Sequence, residues 1–280
     1  MVQQYSPCAL LSGCIDNYMF VDINWSDVQM ASIWRLIPFG QISVLFLYGD
    51  LHGYSVDGAE AKMEQTHRAF MVGQLTKPIW LSFTGHTKLI KVQLKSSGAQ
   101  QLIPMDLSEL MDHPCIDLEN LWGNDTKTIT EQLHDADSDL HRVAILNDFF
   151  KKLLLPAHQQ LAYVDYTLQR LVNSNGNFKL MELEHKLGIT GRQLERVFKS
   201  RVGLRPKDIS RFIRMNAAFT TLSTQPNTSL SDLAYQLGYF DPAHFSKDFR
   251  QLTGLLPSKL KVKHDTEFFV THGKCFKMGG

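Results

Sequence analysis

Polar and basic side chains recur at helical spacing in two stretches of this sequence of 280 residues. The two sets are Arg192, Gln193, Arg196 and Lys199, and His244, Ser246, Lys247 and Arg250. In each stretch, apolar residues between them predict the buried face of the same helix. Such a helix can enter the DNA major groove, where first-turn side chains meet base edges and Lys or Arg meets phosphates. These residues could therefore recognise a nucleic acid.

The two stretches belong to an internal repeat, and each copy predicts a helix–turn–helix unit. Unit one spans Leu183 to Phe198, and unit two spans Leu233 to Phe249. In both units a glycine follows the first leucine by 5 residues, at Gly188 and at Gly238. Glycine readily takes the left-handed conformation that ends a helix. From this glycine to the final phenylalanine the distance is 10 residues in unit one and 11 in unit two.

A polar residue after each turn predicts the N-cap of the second helix, at Thr190 and at Asp241, which Pro242 follows. The residues predicted to face inward are Leu194, Val197, Phe198, Phe245, Phe249 and Leu252. The candidate DNA contacts are Thr190, Gly191, Arg192, Gln193, Arg196, Lys199, Asp241, Pro242, Ala243, His244, Ser246, Lys247 and Arg250. The alternatives are ordinary solvated helix residues, an intradomain salt bridge for Arg196, and capping or internal packing for His244.

A further helix is predicted between the two units, from Pro206 to Leu222. At 1.5 Å per residue, its roughly 17 residues span roughly 25 Å. A connecting helix of this length could position the second helices of both units on one face of DNA, where major grooves recur every ~34 Å.

The net charge of the whole chain hides a division between its two parts. Taken alone, a net charge of +1 and a pI of about 7.7 argue against a strongly basic nucleic-acid binder or a basic membrane-surface protein. Residues 1–170, however, hold 12 basic and 19 acidic residues (net −7), whereas residues 171–265 hold 15 and 8 (net +7). Such asymmetry indicates nucleic-acid binding by the basic part, which contains both units.

The cysteines and the chain ends favour a cytoplasmic protein. The four cysteines are Cys8, Cys14, Cys115 and Cys275. None forms a CxxC pair, and no histidine lies at zinc-ligand spacing from any of them. Neither a structural zinc site nor a disulfide framework is therefore expected. Residues 1–11 lack the features of a signal peptide, and no run of ~20 apolar residues predicts a membrane span.

The first half of the sequence predicts a β-rich domain. Short runs rich in β-branched and aromatic residues occur at Ile33–Ile37, Ile42–Tyr48, Ala69–Leu75, Ile79–Thr84 and Leu89–Leu94. Glycine and proline turns bound them, which predicts an antiparallel, sandwich- or barrel-like domain. Helices are predicted from Asp106 onward. One of them begins at Ser138, and its apolar stripe from Leu140 to Leu154 either packs on the β-rich domain or forms a dimer contact.

Residues 157–261 resemble the C-terminal domain of AraC/XylS-family bacterial transcription regulators. The resemblance is carried by Gly188-Ile-Thr-x-Arg-x-Leu-x-Arg-x-Phe198, Gly203-x-x-Pro206, Arg211-x-x-Arg214 and Gly238-Tyr-Phe-Asp-x-x-His-Phe245-x-x-x-Phe249-Arg250-x-x-x-Gly254-x-x-Pro257. It implies seven helices, two helix–turn–helix units joined by a long helix, promoter binding and control of transcription.

Three positions depart from the family pattern. Glu184 replaces a usual alanine, so either the helix crossing is looser or the carboxylate turns outward. Gly191 weakens the second helix of unit one. Leu260 and Lys261 stand where an aromatic residue and an arginine are usual.

The N-terminal half is similar to the β-rich sensor or oligomerisation domain of some of these regulators. Ile37-Pro38-x-Gly40, Val72-Gly73-x-Leu75-x-x-Pro78, Gly98-Ala99 and Leu121-Trp122-Gly123 carry the similarity. The candidate lining of an apolar effector pocket is Trp34, Phe46, Trp80 and Phe83, for which core packing is the alternative. His52, His67 and His86 lack HxH spacing, so scattered histidines are expected rather than a metal site.

The predicted fold class is α+β, with three parts. Residues 1–155 form a β-rich sensor or oligomerisation domain with C-terminal helices, residues 156–265 form an all-α double helix–turn–helix DNA-binding domain, and residues 266–280 form a tail. The predicted function is sequence-specific regulation of transcription, controlled by the N-terminal domain through an effector, dimerisation or both.

The expected partners are double-stranded promoter DNA, RNA polymerase, a small-molecule effector and a second copy of the chain. No membrane partner, metal, cofactor or enzymatic activity is expected. The first alternative is a ligand-independent regulator whose N-terminal domain is only a protein-interaction module. The second is a fusion enzyme, for which the sequence shows no obvious activated cysteine motif.

Overall fold

The computed structural model describes residues 2–27, 33–37, 40–57, 62–155, 162–225 and 227–259. These residues form two compact units, one built largely from the chain before residue 160 and the other largely from the chain after it. The N-terminal unit is β-rich with helices at its end, and the C-terminal unit is all-α, which confirms the predicted fold class. Within the described ranges, no helix has both the length and the apolarity needed to span a membrane.

The strands of the N-terminal unit form two antiparallel sheets. The larger has the order β1-β2-β9-β4-β7-β10 and consists of β1 (Val2–Tyr5), β2 (Ile15–Asn24), β4 (Ser43–Leu47), β7 (Ala69–Val72), β9 (His86–Leu94) and β10 (Ile116–Asp117). The smaller has the order β3-β8-β5-β6 and consists of β3 (Ile33–Leu36), β5 (Gly53–Ser55), β6 (Glu64–Gln65) and β8 (Ile79–Ser82).

The longest strand, β2, lies outside the part of the sequence that predicted strands, and so does β1. β2 pairs with β1 on one side and with β9 on the other. Its consecutive residues Tyr18, Met19 and Phe20 are all buried. The alternation of polar and apolar residues that marks a half-buried strand is therefore interrupted in the middle of β2.

In its described part, the N-terminal unit ends with three α-helices: α1 (Glu119–Trp122), α2 (Asp125–Asp135) and α3 (Asp139–Leu153). The predicted apolar stripe of α3 packs on the β-rich core in its second half. Phe150 is fully buried in the core cluster that includes the central strands. Asn147 Oδ1 accepts a hydrogen bond of 3.1 Å from the Tyr18 hydroxyl on β2. At the start of the stripe, Leu140 is 71% exposed.

The C-terminal unit has six α-helices in its described part: α4 (Ala162–Asn173), α5 (Leu180–Leu187), α6 (Gly191–Val202), α7 (Pro206–Thr224), α8 (Leu230–Gln236) and α9 (Pro242–Thr253). Unit one is α5 and α6, unit two is α8 and α9, and α7 is the predicted connecting helix. All six contribute to one apolar core. The predictions for Leu260, Lys261 and the tail concern residues outside the described part of the chain.

Candidate DNA-binding interface

We call α6 and α9, the second helices of the two units, the reading helices. Each follows a turn with a glycine in the left-handed region, with φ 64° at Gly188 and 75° at Gly238. A residue with a Cβ would be strained in this conformation. The turns therefore have the geometry that the sequence predicts, and they fix where each reading helix begins.

Both reading helices are capped by the residues that the sequence singles out. In α9, Asp241 Oδ1 accepts the backbone N–H of His244 at 2.6 Å, and Pro242 takes the first helical position. In α6 the capping is reciprocal: Thr190 Oγ1 accepts the N–H of Gln193 at 3.3 Å, and Gln193 Oε1 accepts the N–H of Thr190 at 3.0 Å. These bonds fix the first turn, which a helix–turn–helix protein presents to the bases.

The candidate contacts differ in exposure. Gly191 is buried, and Asp241, Pro242 and Ser246 are half-buried. The other candidates are exposed: Thr190, Arg192, Gln193, Arg196, Lys199, Ala243, His244, Lys247 and Arg250. On the opposite faces Leu194, Phe198, Phe245, Phe249 and Leu252 are buried, and Val197 is partly buried against the same core. Each reading helix therefore presents a basic outer face and is anchored by an apolar inner face.

Two of the alternatives for single side chains can be compared with the structure. Arg196 forms no ion pair with any described residue, so the intradomain salt bridge is not found there. The ring of His244 lies edge-on to the ring of Tyr239, with centroids 5.3 Å apart, although the side chain is exposed. His244 thus has an internal packing contact and still faces solvent.

The cap of α6 limits what Gln193 can recognise. Its Oε1 accepts hydrogen bonds from both the N–H and the hydroxyl of Thr190, at 3.0 and 3.1 Å. Bidentate reading of adenine by glutamine requires its oxygen and its nitrogen together. While the cap is formed, Gln193 therefore offers DNA only its Nε2 donors.

Glu184 and Gly191, two of the departures from the family pattern, complement each other. The carboxylate Oε1 of Glu184 accepts the backbone N–H of Gly191. A Cβ on Gly191 would lie 2.7 Å from this oxygen and 3.0 Å from Leu180 Cδ2. Of the two alternatives for Glu184, the outward-turned carboxylate does not fit the structure, because the carboxylate satisfies the first amide of α6, which has no partner within the helix.

The pair Glu184→Ala and Gly191→Ala is expected to be non-additive. The first change removes the acceptor, and the second places a methyl group where the carboxylate lies, so both break the same hydrogen bond. We expect each single change to lower the free energy of unfolding by about 1 kcal/mol, and the double change to lower it by no more than one of them. Denaturant unfolding of the four proteins measures the coupling. Glu182→Ala, on an exposed position of α5, should be additive with Gly191→Ala; additivity for Glu184 would contradict the pairing.

A buried carboxylate on the inner side of α9, Asp248, connects this reading helix to α7. Its Oδ1 accepts from Arg211 Nε at 2.7 Å and from Arg211 Nη2, and its Oδ2 accepts from the Tyr239 hydroxyl at 2.8 Å. Arg211 Nη2 also donates to Gln251 Oε1 at 3.0 Å. Burial, reinforced by the Asp248 charge, raises the pKa of the Tyr239 phenol. Asp248 is absent from the candidates predicted from the sequence, although a carboxylate between the two inward-facing phenylalanines Phe245 and Phe249 was a usable signal.

The turn between α4 and α5 contacts both α7 and the turn of unit two. The Ser210 hydroxyl on α7 donates to the backbone oxygen of Gly176. A Cβ on Gly238 would lie 3.0 Å from Asn177 Cγ, so the side chain of Asn177 packs directly against the turn of unit two. These contacts join the two helix–turn–helix units within the C-terminal unit.

The aromatic residues proposed as a ligand pocket in the N-terminal unit have different surroundings. Phe46 is buried in the main core, which agrees with the core-packing alternative. Phe83 stacks on Trp25, with ring centroids 5.0 Å apart. Trp80 is half-buried, and the side chain of Trp34 lies outside the described residues.

His52 is the unusual histidine of this unit. Its side chain is buried, its ring lies edge-on to Phe83, and neither ring nitrogen has a hydrogen-bond partner among the described residues. Burial lowers its pKa to about 4, so the ring is neutral at pH 7 and keeps one unused donor and one unused acceptor. His67 and His86 each lie beside a different aspartate. In the described ranges, no three potential metal ligands are grouped.

Comparison with known proteins matches two family models to separate parts of the chain. Residues 183–262 match a helix-turn-helix domain, and residues 3–116 match a domain of unknown function (DUF6597).

The HTH-type transcriptional regulator GlxA of Rhizobium meliloti is 35% identical over 74 residues, which are 26% of this chain and 22% of that protein. The lactose operon transcription activator of Staphylococcus xylosus is 34% identical over 77 residues, 28% of this chain and 27% of that protein. The match thus spans about a quarter of the length of these curated relatives.

Solved structures with a similar chain trace include two bacterial proteins. ToxT from Vibrio cholerae is 12% identical, with 86% of this chain and 97% of that chain covered at a TM-score of 0.44. The C-terminal domain of the response regulator yesN from Fusobacterium nucleatum is 23% identical, with 34% and 95% covered at a TM-score of 0.32.

Proposed function

We propose that the protein is an AraC-type, sequence-specific DNA-binding transcription regulator, since residues 183–262 match a helix-turn-helix domain. The observation that carries the proposal is the pair of capped reading helices, each with an exposed basic face, within a segment of net charge +7. They share a core with α7, whose 19 residues span roughly 28 Å. Both reading helices would then reach successive major grooves on one face of a promoter.

The side chains have different proposed roles along each reading helix. Arg192 and His244, in the first turns, contact base edges. Basic side chains farther along the helices neutralise phosphates, because there the helix has left the floor of the groove and lies closer to the DNA backbone. These side chains are Lys199, Lys247 and Arg250. The acidic N-terminal part repels the duplex and directs it to the C-terminal unit.

Selection from a pool of random duplexes with the full chain tests this function. We expect enrichment of one sequence motif, and an affinity whose logarithm falls linearly with the logarithm of salt concentration, by about 0.9 per phosphate neutralised. Lys247→Ala should reduce this slope by about 1. Lys151→Ala, an exposed lysine of the N-terminal unit, should leave the slope unchanged. A pool without enrichment would overturn the proposed function.

For the N-terminal unit, we propose control of DNA binding through a small effector, dimerisation or both, acting in the cytoplasm together with RNA polymerase. The unpartnered imidazole of His52 supports an effector, since buried polar groups normally have a hydrogen-bond partner and a ligand would supply one. A ligand controls the regulator only if its affinity differs between two arrangements of the protein. At 100 times its dissociation constant an effector stabilises the unit by about 2.7 kcal/mol, so thermal-shift screening distinguishes a sensor from a pure interaction module.

A further inference from the structure

Unit two contains one residue more than unit one, and the structure shows which residue it is. In unit one a single residue, Ile189, lies between the turn glycine and the N-cap, whereas unit two has Tyr239 and Phe240 in this place. Ile189 and Tyr239 have the same role, because both pack against the core of the C-terminal unit. Phe240 is therefore the residue that unit two adds.

Among the described residues, the Phe240 ring is not part of the apolar core. An apolar residue just before an N-cap often packs on the fourth residue of the helix, which in α9 is Phe245. Here the ring that contacts Phe245 belongs to Tyr239, at a centroid distance of 5.3 Å. Phe240 is 89% exposed, more than any other large apolar side chain in the described chain.

The position of Phe240 beside the first turn of α9 is fixed on both sides. Before it, the hydroxyl of buried Tyr239 donates to Asp248 at 2.8 Å. After it, Asp241 caps α9 through a hydrogen bond of 2.6 Å to the N–H of His244. Phe240 is thus an exposed aromatic side chain on an anchored backbone, at the end of the reading helix that enters a groove.

We propose that the Phe240 ring contacts the 5-methyl group of a thymine in the major groove and so determines part of the sequence that unit two recognises. This inference rests on the proposed function, because it requires α9 to lie in that groove. A phenyl ring has no charge or hydrogen-bonding group for phosphates or for the polar base edges. The thymine methyl is the apolar group that the major-groove edges present, and phenylalanine is among the side chains that contact it.

Replacement of thymine by uracil tests the contact, since uracil lacks only this methyl group. Each thymine of the site selected by the full chain is replaced in turn, and binding is measured for the parent, Phe240→Ala and Tyr235→Ala. For the parent we expect one replacement to weaken binding about four-fold, the factor for one buried methyl group. Phe240→Ala should bind the thymine and uracil duplexes equally. Tyr235→Ala, which removes another exposed aromatic ring of unit two, should keep the four-fold ratio, and both variants should unfold at the parent's temperature.

The outcomes separate this inference from the proposed function. If the parent selects no sequence, the proposed function itself fails. If it selects a site but no single uracil weakens binding, or if Phe240→Ala keeps the uracil penalty, only the thymine contact is overturned. A variant that loses DNA bending without any dependence on the methyl group would show Phe240 to be a wedge between base pairs, which also overturns the contact.

Discussion

Asp248→Ala is expected to lower the free energy of unfolding of the C-terminal unit by about 3 kcal/mol. Removing one member of a buried ion pair costs about 3–5 kcal/mol, because the other charge stays buried without its partner. The lower value applies here, since the Arg211 side chain is 20% exposed and keeps Gln251 as an acceptor. The Tyr239 hydroxyl also loses its acceptor.

The distribution of tryptophan allows the two units to be followed separately in one denaturation experiment. All 4 tryptophans precede residue 155, so their fluorescence reports the N-terminal unit, whereas circular dichroism at 222 nm is dominated by helix. The control is Gln251→Ala, which removes only the exposed acceptor of the same guanidinium and should lower stability by under about 1 kcal/mol. Equal effects of the two substitutions, or a shift of the fluorescence transition alone, would refute a stabilising role for Asp248.

Arg192→Ala is expected to weaken binding to the selected DNA site by about 10- to 100-fold, with little change in binding to unrelated DNA. A good bidentate contact between a side chain and a base edge contributes about 1–3 kcal/mol of discrimination, and 1.4 kcal/mol is a factor of ten. Arg192 is exposed in the first turn of α6, next to the cap at Thr190. Titration of labelled duplexes at several salt concentrations measures both affinities.

Lys199→Ala is the matched control for Arg192→Ala, because it lies on the same helix but farther from the first turn. As a phosphate contact, it should weaken binding to both kinds of DNA by a similar factor and reduce the salt slope by about 1. Neither change should alter the unfolding transition, since both side chains are exposed. Equal affinity of Arg192→Ala and the parent for the selected site would exclude base reading by this arginine.

The features of the C-terminal unit that the sequence predicts depend on residues close together in the chain. The left-handed glycines and the two N-caps involve contacts within about one helical turn, so residue type and spacing are sufficient to predict them. For the same reason the inward and outward faces of α6 and α9 follow from helical periodicity. Every candidate contact on these faces stays a prediction about DNA, whereas its place on the helix is now known.

Features that depend on distant residues could not be predicted in this way. Asp248 meets Arg211 across 37 residues of sequence, and β2 pairs with β9, which begins more than 60 residues later. Glu184 lies only seven residues before Gly191, but the contact of its carboxylate with the Gly191 amide depends on how α5 packs against α6. Such pairings depend on which elements pack together, and local sequence patterns do not contain that information.

The contacts of the α4–α5 turn with Ser210 and with the turn of unit two have a consequence for binding strength. Because both reading helices belong to one core, their mutual orientation is set before any DNA is bound, and the proposed binding would lose no ordering entropy for it. Once one unit is bound, the other is held at a high effective concentration near its half-site, so two individually weak contacts combine into one strong one. The allowed spacing between half-sites is then a property of the fold rather than of a flexible linker.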